Sequence, residues 1–99
     1  MTNPTETLIK IILEDEDTRK SVSDLAHVLM ESNSKRLNPH SAVFTSRTHL
    51  SELMKQFVKR RARKFPGSTW DRIALHVDYY SAATYFIPDN DRDLVLSDL

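Results

Sequence analysis

The sequence predicts an all-α protein: a compact bundle of about four helices followed by an acidic C-terminal tail. Three observations carry that expectation. Only one glycine and four prolines occur among 99 residues, whereas β-sandwiches need many Gly-rich turns. Apolar residues recur at three- and four-residue spacing in several windows. Helix-start and helix-stop residues flank those windows. A chain of this length builds one core, so residues 1–88 are expected as a single helical domain and 89–99 as the tail.

Asn3-Pro4-Thr5-Glu6 reads as a helix start, with Asn at the N-cap and Pro at the first helical position. Leu8, Ile11 and Ile12 then share a face, with Ile9 beside them. The acidic run Glu14-Asp15-Glu16-Asp17 suits the start of a helix better than its end. A second helix is expected from about Thr18 to Ser32, with Val22, Leu25, Val28 and Leu29 as its stripe.

Residues 32–44 read as the main irregular stretch, since Asn33-Ser34 and Asn38-Pro39 are turn dipeptides. A third helix should begin at Ser46 or Thr48 and run to Lys64, stopped by Pro66-Gly67. Leu50, Leu53, Met54, Phe57 and Val58 form its apolar arc. Arg61 falls inside that arc: either the helix is ending there, or its stem lies on the core with the charged head turned to water.

Ser68-Thr69-Trp70-Asp71 has the order of a capping box with Asp in place of Glu or Gln. The body that follows fits two periods. A helix aligns Trp70, Ile73, Ala74, Val77 and Tyr80, and the Ser81-Ala82-Ala83 run supports it. A strand alternates Ile73, Leu75, Val77 and Tyr79 with polar and small neighbours. The helix is the expectation. If residues 72–87 formed strands, the fold would instead be α+β and winged-helix-like.

The formal net charge of zero hides three blocks. Residues 35–64 carry nine Lys/Arg against one acid, Glu52, a net +8. Residues 1–34 and 65–99 each carry −4. A segregated field steers a partner better than scattered charge does. The candidate contact residues are Lys55, Lys59, Arg60, Arg63 and Lys64 on the third helix, with Arg47, Lys35 and Arg36 before them. Phosphates attract such a row by counterion release, without special geometry.

The expected function is therefore a small non-enzymatic regulator, or a component of a nucleoprotein complex, that binds DNA or RNA through this helix. The alternative is a modulator or inhibitor, of the kind mobile elements encode, that docks the same face on an acidic protein. The third helix, Pro66-Gly67 and the fourth element have the outline of a helix-turn-helix. There the second helix reads the groove, and here it carries Asp71 and Asp78 and few bases.

Other chemistries find no support in the sequence. With no cysteine there is no disulfide, thiol nucleophile or Cys-based zinc site. His27, His40, His49 and His76 lack metal-ligand spacing. One glycine permits no phosphate-cradling loop. The Asp/Glu pairs sit in solvated acidic runs that offer no pocket to shift a pKa. Neither catalysis, a metal nor a cofactor is expected.

The N-terminus lacks the order of a secretory signal, and no apolar run is long enough to cross a membrane, so a cytoplasmic location is expected. Leu8, Ile9, Ile11 and Ile12 cover so much of the first helix that a homodimer seam is one use for them, burial in the core the other. Trp70, Tyr79, Tyr80, Tyr85 and Phe86 read as packing aromatics, with base stacking as the alternative role. The tail Asp89–Leu99 is opposite in sign to the basic block and would compete with a polyanion if it folded back.

Overall fold

The computed structural model describes residues 3–88. Five helices follow one another: α1 (Pro4–Glu14), α2 (Glu16–Ser34), α3 (Pro39–Lys64), α4 (Thr69–His76) and α5 (Tyr79–Phe86). Among the described residues there is no strand, so the α+β alternative is not realised. The tail, and with it the proposed fold-back contact, lies outside the described residues.

α1 starts as the sequence predicts. The Asn3 side chain accepts from the Glu6 N–H at 2.8 Å, with Pro4 at the first helical position. A single residue, Asp15, separates α1 from α2 and takes the Thr18 hydroxyl on its carboxylate. Glu16 and Asp17 then occupy the first turn of α2, where the helix dipole favours them.

The α2 stripe is shifted from the expected one. Ala26, Leu29, Met30 and Asn33 are buried, Val22 and Leu25 half-buried, while Val28 is 60% exposed. The core-facing arc is set by where α1 and α3 pack, and Val28 lies on the far side.

α3 begins at Pro39, well before Ser46. Asn38 caps it by accepting from the Ser41 N–H at 2.8 Å. Asn38-Pro39 is thus a helix start and not a turn, the same device as Asn3-Pro4. Twenty-six residues make α3 the longest element, about 39 Å at the usual rise. The added N-terminal turns bury Ala42, Val43 and Ser46. Ser46 accepts from Asn33 Nδ2 at 2.9 Å, so these two buried polar side chains, one from α2 and one from α3, are paired with each other.

α3 ends where Pro66 and Gly67 predict. The Phe65 N–H reaches the Arg61 carbonyl at 2.9 Å, and Gly67 takes φ 76°, a left-handed turn open to glycine at little cost. Ser68 caps α4 through the Trp70 N–H, and Asp71 reaches back to the Gly67 N–H.

The fourth element is two helices, not one. The chain leaves α4 at Val77 in extended geometry, and Asp78 caps α5 by accepting from the Ser81 N–H at 3.0 Å. The Asp78 N–H in turn donates to the Thr5 hydroxyl at 2.9 Å, fixing the corner on the start of α1.

α3 packs against α2, α4 and α5, and α1 closes the other side against α2, α4 and α5. One core results, with Leu8, Ile12, Leu50, Val58, Ile73 and Ile87 fully inside it. Ile9 and Ile11 pack on the same core. Of the residues expected at a homodimer seam, Leu8 and Ile12 are buried within the chain and Ile9 and Ile11 are half-buried. No helix among the described residues is long and apolar enough to cross a membrane.

Candidate nucleic-acid interface

The C-terminal half of α3 carries the charge. Its arc of Leu50, Met54, Val58 and half-buried Phe57 faces the core, and the period of the helix turns the intervening positions outward. Lys59, Arg60, Arg63 and Lys64 are exposed and Lys55 is half-buried. Residues 55–64 hold six bases and no acid. Among the described residues, no carboxylate lies within ion-pair distance of these five side chains. Positive charge in a last helical turn interacts favourably with the helix dipole. That effect fades within one turn, and the basic stretch spans more than two.

Arg61 behaves as its place in the apolar arc requires. It is half-buried, with its guanidinium carbon 5.2 Å from the centre of the Phe57 ring. Phe57 meets Trp70 of α4 edge to face at 5.8 Å. The basic end of α3 thus rests on an aromatic support that holds the helix while its outer face stays open.

The eight expected contact residues do not form one surface. Arg47 is 6% exposed and belongs to the core. Its Nε donates to the Ile87 carbonyl at 2.7 Å, and its guanidinium lies 5.9 Å from the centre of the Tyr80 ring. Arg47 therefore does not belong with the surface bases, and the reason is its partner. Ile87 is the C-cap of α5, and a cation there satisfies a helix-end carbonyl.

Lys35 and Arg36 are exposed but sit at the other end of α3, before its N-terminus. From Pro39 to Lys59 the helix rises about 30 Å. Lys35 pairs with Glu31 at 3.6 Å, and an Arg36 guanidinium nitrogen donates to Asn33 Oδ1 at 3.0 Å. The surface that the structure brings together is Lys55, Lys59, Arg60, Arg63 and Lys64.

Two features emerge only from the tertiary structure. Phe44 is 61% exposed and contacts Tyr80 of α5, ring centres 6.0 Å apart. The signal for it was Asn38-Pro39: once the helix starts there, Phe44 falls on the outward side of α3. The other is a cleft of about 310 Å³ between α3 and the α1–α2 pair, lined by Ile12, Leu25, Leu53 and Phe57 with Asp17 and Ser21 beside them. No sequence signal marks it, because it arises where α1 and α3 stand apart. Among the described residues, no three His, Cys, Asp or Glu side chains are grouped to hold a metal ion.

Among the described residues, two titrations are shifted. The Ser81 backbone N–H and hydroxyl hold the Asp78 carboxyl below its ordinary range, and burial raises the Tyr79 phenol. Both groups belong to the α4–α5 corner and not to the basic face.

The chain matches no known family model, no curated protein and no solved structure. The functional reading therefore rests on the surface itself.

Proposed function

We propose that this protein binds nucleic acid through the outer face of the C-terminal half of α3, as a small regulator or a component of a nucleoprotein complex. One observation carries the reading. Lys55, Lys59, Arg60, Arg63 and Lys64 spread over the outward half of the C-terminal part of α3, and among the described residues no carboxylate lies within ion-pair distance of them. A phosphate backbone fits such a face because it needs only closely spaced cations, each releasing a counterion. The zero net charge of the whole chain opposes an indiscriminate coating of DNA and favours a localised contact.

The test is a titration of generic DNA and RNA at increasing salt, with Lys59/Arg60/Arg63→Ala as the control. Wild type should bind at low salt, with log affinity falling linearly against log salt. The triple variant should bind at least about tenfold more weakly, with a slope reduced by about 2.7. All three side chains are exposed, so its melting temperature should stay near that of wild type. Absence of binding at low salt, or binding indifferent to the triple substitution, would reject the proposal and leave this face to an acidic protein partner.

A further inference from the structure

We infer that the nucleic acid taken by this face is single-stranded, with one base stacked on Phe44; the inference rests on the function proposed above. The observations are an exposed aromatic pair and its alignment with Lys55 and Lys59. Phe44 is 61% exposed and Tyr80 37%, and their rings touch at 6.0 Å with a 44° tilt. Phe44 and Lys55 are eleven positions apart on one continuous helix, which places them within about 20° of the same line and about 16 Å apart. Lys59 lies four positions further on, turned by about 40° more. Phe44, Lys55 and Lys59 thus lie along one side of α3, with Arg63 about 40° further round and Arg60 and Lys64 turned toward the opposite side.

Tyr80 supports this use. Arg47 lies 5.9 Å from its ring centre, and Arg47 is itself held by the Ile87 carbonyl. The ring beside Phe44 is therefore fixed, and Phe44 keeps most of its surface open. Val28 at 60% on α2 and Leu75 at 79% on α4 are exposed too but offer no π-face. Two further rings are exposed: Tyr85 at 55% packs edge to face on Phe86, and Phe65 at 42%, just past the end of α3, has Lys64 Nζ 5.7 Å from its centre.

A duplex keeps its base faces stacked inside, so rings beside a phosphate track gain nothing from it. An unpaired strand presents both a backbone and free base faces. Stacking is also tolerant of sequence, which suits a face whose cations read charge alone.

The test uses the full chain and measures binding of labelled oligo(dT) and of a duplex of equal length at low salt. Wild type should prefer the strand by about tenfold. Phe44→Ala should lose about tenfold on the strand and nothing on the duplex, with an unchanged melting temperature. Phe44→Trp should keep strand binding, and Phe44→Leu should not, because a leucine is apolar without a π-face. Strand binding indifferent to Phe44→Ala, or Phe44→Leu equal to wild type, overturns the inference. Equal binding of strand and duplex, lost together in Lys59/Arg60/Arg63→Ala, rejects stacking but keeps the basic face as a phosphate site. No binding of either rejects both.

Discussion

Arginine has two different roles in this chain, and burial separates them. Arg60 and Arg63 are exposed at the end of α3, whereas Arg47 is 6% exposed and bonded to the end of α5. A hydrogen bond to a buried charged group contributes about 1.5–3 kcal/mol. Arg47→Ala should therefore destabilise the fold by about 2–3 kcal/mol, seen as a fall in melting temperature of about 10 °C or more. An exposed substitution such as Arg63→Ala should stay within about 0.5 kcal/mol. Equal melting temperatures for the two variants would refute the structural role given to Arg47. Sequence alone reads both residues as positive charge, because a charge run carries no information about which member finds a carbonyl.

At the scale of elements, caps decide where the helices begin and end. Asn3-Pro4 and Asn38-Pro39 are the same signal, and each starts a helix. The second is easily mistaken for a turn because no apolar run follows it at once. Asp78 is the least conspicuous cap, yet it divides α4 from α5. Its carboxyl is held below the ordinary range chiefly by the Ser81 backbone N–H. A carboxylate whose folded-state pKa is depressed adds stability above its unfolded-state pKa, and loses it as pH falls through the folded-state value. Thermal stability should accordingly decline on acidification through and below the carboxylate range. Asp78→Asn keeps an equivalent cap and should show a shallower decline in melting temperature followed by circular dichroism. An identical acid profile in both proteins would show that the cap's charge contributes nothing.

For the whole molecule, the relevant quantity is how charge is distributed around one core. The −4, +8, −4 blocks of the chain fold so that the dense part of the positive block ends on the outward half of one helix. Lys35 and Arg36 are left at the far end of α3, and Arg47 is removed into the core. Residues 89–99 hold four Asp and one Arg, a net −3. Deleting them raises the chain's net charge from zero to +3 and, if the tail competes for the basic face, frees that face. Affinity for a polyanion at low salt should rise in a binding titration. Unchanged or weaker binding would contradict any competition between the tail and the basic face.

The sequence by itself determined the helical class, because it has almost no glycine for turns and its apolar residues recur at helical spacing. It also determined the start of α1, the end of α3 at Pro66-Gly67 and the placement of Arg61 on an apolar face. These are local effects, set by residues within one or two turns of each other. Tertiary structure alone decided which basic residues share a surface, that Arg47 serves Ile87 forty positions away, and that Phe44 and Tyr80 meet. Those outcomes depend on how α2, α4 and α5 pack around α3. Packing is a long-range balance of burial and geometry, and it leaves no local trace in the order of the residues.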